Sequence, residues 1–85
     1  MTDMEKIIEA AREMRASDIH MTDNMEEGIV QGYISNLIYK GDHYSYVVRT
    51  EHGHDLIVDD EYLWNMHDKV SLIMPEDKMQ FALKK

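Results

Sequence analysis

The hydrophobic pattern changes period part-way along the chain, and the change divides it. Near the start, the apolar residues Met4, Ile7, Ile8, Ala11 and Met14 recur at intervals of three and four. That spacing puts them on one stripe of an α-helix. Thr2-Asp3-Met4-Glu5 has the form of a capping box, with Thr2 accepting from a first-turn amide and Glu5 reaching back. The helix is expected to run from about Asp3 to Arg15. A helix this short is marginal alone in water, so its stripe must be covered by the rest of the chain or by another chain. Met4, Ile7, Ile8 and Ala11 are therefore candidate interface residues.

After the Met25–Gly28 junction the period drops to two. Ile29 to Tyr39 is long for a single strand, and Gly32 within it suggests a bend or a bulge. Lys40-Gly41-Asp42 is a hairpin signal, after which Tyr44, Tyr46 and Val48 alternate with Ser45, Val47 and Arg49. Glu51-His52-Gly53-His54 marks the next turn, before a strand at Asp55 to Val58. Asp59 to Met66 reads as a short helical or irregular link. Two last strands, Lys69 to Met74 and Lys78 to Leu83, flank Pro75-Glu76-Asp77, where proline suits a turn better than a ladder position. The expected organisation is an N-terminal helix and linker over residues 1–24, then a small five-stranded barrel over residues 25–85. Closing the barrel would hide the sheet edges that so small a protein otherwise leaves exposed.

Composition narrows the chemistry. Eighty-five residues make one small domain near the lower limit for folding unaided. With no cysteine, a disulfide framework, a thiol nucleophile and a thiolate zinc site are excluded. A net charge of −8 repels phosphate backbones and argues against nucleic acid, while it tolerates a cationic partner. No apolar stretch approaches the length of a membrane span, and no cationic start leads into an apolar signal core. Direct membrane insertion is not expected. A cytoplasmic location is.

The turn Tyr39-Lys40-Gly41-Asp42-His43 and the strand Asp68-Lys69-Val70-Ser71-Leu72, followed by Pro75-Glu76-Asp77, are specific in order and spacing. In this the chain resembles a transport-associated OB (TOBE) domain, the small C-terminal barrel of ABC-importer ATPase subunits, most closely of the spermidine/putrescine type. Arg15-Ala16-Ser17-Asp18-Ile19 resembles the Arg-Pro-Glu-Asp-Ile segment that leads into that barrel. Ala16 to His20 also resembles a segment near the N-terminus of pilus and secretion ATPases; the position just before the barrel favours the first. His67 stands where relatives usually have a glycine, and the turn there is expected to need a positive φ. The resemblance implies a mainly β, OB-like fold and a non-catalytic accessory or regulatory part. It would contact a protein partner or a second copy of itself, peripheral to an inner-membrane transporter.

Enzymatic readings find little support. No Gly-x-x-x-x-Gly-Lys-Ser/Thr phosphate loop or ABC signature occurs, so triphosphate has no recognisable seat, and no cofactor is expected. Leu56-Ile57-Val58-Asp59-Asp60-Glu61 has the look of a magnesium-holding strand, but that motif has meaning only beside a phosphate loop. The better reading is a strand ending in a solvated acidic turn. His52 and His54, two apart on a strand, project to one face and are candidate zinc or nickel ligands with Asp55, needing a third ligand such as His43. Two exposed histidines flanking a hairpin glycine are the better reading, since only two good ligands lie close in sequence. The alternative function is a small-ligand module, with Asp59, Asp60 and Glu61 as a rim for a polyamine or metal cation. Tyr33, Tyr44 or Trp64 would then pack on the methylenes or meet an ammonium. Against that, alternating tyrosines are commonly wall, and a lone tryptophan commonly plugs a barrel end.

Overall fold

The computed structural model describes residues 4–77. Helix α1 (Met4–Glu13) is followed by a 3-10 turn (Ala16–Asp18). Five strands come next: β1 (His20–Thr22), β2 (Val30–Tyr39), β3 (Tyr44–Thr50), β4 (Asp55–Asp60) and β5 (Lys69–Ile73). They form one antiparallel sheet in the order β1-β5-β2-β3-β4. The expectation of a mainly β chain with one N-terminal helix holds. The described strands form a sheet that is not closed, since among the described residues no ladder joins β1 to β4. Those two strands nevertheless come near each other, and α1 and the 3-10 turn pack against β4.

The strand set also differs from the one read in the sequence. His20–Thr22 pairs with β5 through Met21↔Leu72, in a segment that carried no strand expectation. Three residues are too few for a visible alternation. The junction at residues 24 and 25 thus lies inside the sheet, between β1 and its partner. The expected strand from Lys78 to Leu83 and the Thr2 cap lie outside the described residues.

Alternation decides what enters the core. Val30, Ile34, Tyr46, Val48, Leu56, Val58, Val70 and Leu72 point to one face and are buried. Helix α1 adds Ile8 and Ala11 to that cluster, with Ile7 and Met14 packed against it. Of the candidate interface residues, Ile8 and Ala11 are buried against this chain's own sheet and Ile7 packs partly buried beside them, while the Met4 side chain lies outside the described residues. The physical reason is the open side of the core beside β4, which would otherwise face water.

Two backbone features shape β2. At Gly32 a Cβ would run into the Arg49 carbonyl oxygen, so glycine here serves close approach of strands and not the expected bend or bulge. The bulge itself falls two residues later, where the register with β3 shifts between Ile34 and Asn36. Ser35, left over by that shift, donates its hydroxyl to the Val47 carbonyl at 3.1 Å. His67 has φ 71°, as expected for a turn where glycine would be easier. Its N–H donates to the Ile34 carbonyl at 2.8 Å, and Ile34 N–H donates to Asp68 at 3.0 Å, so this turn takes the place of a strand beside Ile34.

Candidate functional site

The β2–β3 hairpin turn, the end of β4 and the start of β1 enclose a groove of about 420 Å³. Asp42 and His43 enter it from the turn, Asp59, Asp60 and Glu61 from β4 and just beyond, and Ser17 and His20 from the N-terminal side. The expected acidic rim is therefore brought together, and the histidines that join it are His43 and His20.

The carboxylates are not equivalent. His43 lies between two of them, with Nδ1 2.6 Å from Asp42 Oδ1 and Nε2 3.7 Å from Asp59 Oδ2. The hydrogen bond and charge of His43 hold the Asp42 carboxyl below its ordinary value. Asp60 is otherwise engaged: Oδ1 accepts from the Tyr62 N–H at 3.0 Å and Oδ2 from Trp64 Nε1 at 3.1 Å. It anchors the loop after β4. Glu61 is exposed.

Of the aromatic candidates, Tyr44 and Trp64 sit beside the groove as wall. Tyr44 is directly across the ladder from Asp60, and its ring lies between those of Tyr39 and Tyr46 at 5.1 and 6.1 Å. Trp64 is half-buried against the core and meets the Tyr62 ring edge-on at 5.2 Å. The sequence singles out Tyr44 and Trp64, as ligand contacts or as wall, but the residue that organises them is Tyr46. Its buried hydroxyl donates to the Tyr62 carbonyl at 2.7 Å and accepts from the Trp64 N–H at 2.8 Å. Burial pushes the Tyr46 hydroxyl pKa up. The alternation Tyr44-x-Tyr46 is the only sequence signal for this, and it does not say which tyrosine faces inward.

The histidine candidates separate. His52 and His54 flank Gly53 in the β3–β4 turn, one exposed and one half-buried. His43 precedes β3 and so lies at its other end. Among the described residues, no group of three or more His, Cys, Asp or Glu is arranged to hold a metal ion. Asp55 is paired with Arg49, whose Nε lies 3.2 Å from Oδ1.

The model of the TOBE domain family matches residues 14–81, from the end of α1 through the sheet. The chain belongs to the TOBE domain family. Two relatives are similar to it: the spermidine/putrescine import ATP-binding protein PotA of Bacteroides fragilis (strain YCH46), 31% identical over 74 residues, and that of Bacteroides thetaiotaomicron, 32% identical over 60 residues. The matched stretches take up 82% and 71% of this chain but only 16% and 13% of those proteins. This TOBE domain thus resembles one part of a PotA-type importer ATPase. Among its described residues, no helix is long and apolar enough to cross a membrane.

Proposed function

We propose that this TOBE domain is a non-catalytic accessory or regulatory part that acts by protein–protein docking alongside a polyamine-type ABC importer ATPase, at the cytoplasmic side of the membrane. The observation that carries this reading is the family match across residues 14–81, on a chain whose sequence contains no phosphate loop. With Ile8 and Ala11 of the α1 stripe buried, docking falls to another exposed surface. Such interfaces between domains are often modest in area. Mixing the chain with a PotA-type ATPase and following the mass of the complex tests the reading. A complex that changes ATP turnover is expected, and no association at high micromolar concentrations of both overturns it.

The groove favours a second reading, the binding of a polyamine or metal cation. Asp59 and Glu61 are its available acids, Asp42 already answers His43, and Asp60 would have to release Trp64. A ligand held only by the folded state raises the melting temperature with its concentration. Under this reading spermidine raises it, and Asp59→Asn lowers the gain; a melting curve unmoved by spermidine removes it.

A further inference from the structure

The loop between β4 and β5 is apolar on its outside and fastened on its inside. It passes β3 and β2 on its way. The Tyr62 N–H donates to Asp60 Oδ1 at 3.0 Å. The Tyr46 hydroxyl, rising from the core, donates to the Tyr62 carbonyl at 2.7 Å and accepts from the Trp64 N–H at 2.8 Å. The Asn65 N–H donates to Asp68 Oδ2 at 2.9 Å, and the Asp68 N–H returns to the Asn65 carbonyl at 3.1 Å. The His67 N–H donates to the Ile34 carbonyl on β2 at 2.8 Å. Trp64 packs against the core, whereas Tyr62, Leu63 and Met66 are 65%, 55% and 42% exposed.

A single apolar side chain on a surface is ordinary, but several on one loop, edged by polar groups, mark a place where something binds. Among the described residues, neither Leu63 nor Met66 joins the core cluster, so packing within the chain does not account for them. The fastening matters too. A loop already held in one shape has little order left to lose when a partner covers it, and that lowers the cost of binding.

We propose that Tyr62, Leu63 and Met66 form a docking surface for a basic amphipathic helix of a partner protein. Charge selects the sign of the occupant. Asp59, Asp60 and Glu61 lead directly into the loop and Asp68 ends it, and no lysine or arginine occurs from Thr50 to Asp68. An apolar face edged with Lys or Arg therefore meets carboxylates at its rim. A second copy, an anionic membrane surface or a nucleic acid would bring like charge to the same rim. Backbone geometry selects the shape. A partner strand needs N–H groups available on alternate residues. Here the amides of Tyr62, Trp64, Asn65, His67 and Asp68 are already bonded, and the two between them, Leu63 and Met66, fall out of step with such an alternation. A partner has side chains to meet and no ladder to extend, which suits the apolar stripe of a helix. Tyr62 is the aromatic anchor, backed edge-on by the Trp64 ring at 5.2 Å, and Met66 adapts to the shape of the stripe.

This gives the docking role proposed above a place and a kind of partner, and it rests on that reading. The test is a calorimetric titration of the chain with a synthetic helix of about 18 residues, leucine on one stripe and lysine on the rest. A dissociation constant of about 10–100 μM is expected for so small a patch, with the amide signals of Glu61 to His67 moving in NMR spectra. A scrambled peptide of the same composition keeps the charge and loses the stripe; it is expected to bind at least about tenfold more weakly, and a version with glutamate for lysine not at all. Leu63→Ser and Met66→Ser remove apolar contact and touch no hydrogen bond of the loop. Each is expected to weaken binding about three- to tenfold with an unchanged melting curve, and Met66→Ser decides the matter if Leu63→Ser disturbs the loop. No binding of the striped peptide at about 1 mM overturns the proposal. Equal binding of the scrambled peptide, or undiminished binding by the variants, also overturns it, because charge attraction alone then explains the heat. Peptides that fail on a chain that still binds the PotA-type ATPase remove this surface and leave the docking reading standing. A peptide bound by a chain that ignores the ATPase removes the importer as partner and leaves the surface.

Discussion

The two halves of β2 share a strand and an uncharged composition, yet one is enclosed and the other is open. From Val30 to Ile34 the strand has β3 on one side and β5 or the His67 turn on the other, and Val30 and Ile34 are fully buried. From Asn36 to Tyr39 it has β3 alone among the described residues, and Ile38 is half exposed. Side-chain alternation is nearly the same in both. What differs is the neighbour, which is set by where β5 ends and where the bulge turns the strand. Apolar pattern therefore reports a strand and its faces, and topology decides whether its backbone is satisfied.

The contrast can be broken most sharply by truncation. Ile34→Ala is expected to lower stability by about 2–5 kcal/mol, whereas Ile38→Ala should stay within about 0.5 kcal/mol in dilute solution; urea midpoints measure both. Equal losses would show that the open half is covered after all. Gly32→Ala tests the enclosed half from the backbone, since its methyl group meets the Arg49 carbonyl. A loss of about 1–3 kcal/mol is expected, with weakened amide protection across β2 and β3.

Tyr46→Phe keeps the ring and removes the hydroxyl that holds Tyr62 and Trp64. About 1–3 kcal/mol should go with it, because two backbone groups lose their partner, and hydrogen exchange at the Trp64 amide should quicken. The smallest effect belongs to the hairpin tip. The Asp42 carboxyl titrates lower in the folded chain than in the unfolded one. Its contribution is thus present above the unfolded value, near 3.8, and is lost as pH falls through the folded value. Asp42→Asn should flatten the pH dependence of the urea midpoint slightly below about pH 4 and bring the midpoint at pH 7, where the contribution is fully present, slightly down.

Much of this was legible in the residues. Period three-to-four gave α1, and period two gave β2 to β5 with ends displaced by one or two residues. His67 at a glycine position correctly signalled a positive φ. β1 was not legible, because three residues stand as a strand only through pairing with β5. Closure was not legible either: strand count and turn spacing are alike in a barrel and in a sheet whose gap is covered by a helix. At the groove, the run Asp59-Asp60-Glu61 announced an acidic rim. It could not show that Asp60 serves the Trp64 indole, or that His43 comes to stand between Asp42 and Asp59. The His43–Asp59 approach joins residues distant in sequence through the β3–β4 register, and the Asp60–Trp64 bond depends on the path of the loop between them.

The bond from Trp64 to Asp60 has an optical consequence. Trp64 is the chain's only tryptophan, and its indole N–H is fixed on a carboxylate that lines the groove. Any cation that draws Asp60 away must free that indole, and any loosening of the Tyr46 hydroxyl must shift the ring with its loop. The emission maximum of one native fluorophore therefore watches both events without a label. Excitation of Trp64 during a spermidine titration, with Tyr46→Phe as the second trace, separates an occupied groove from an unfastened loop.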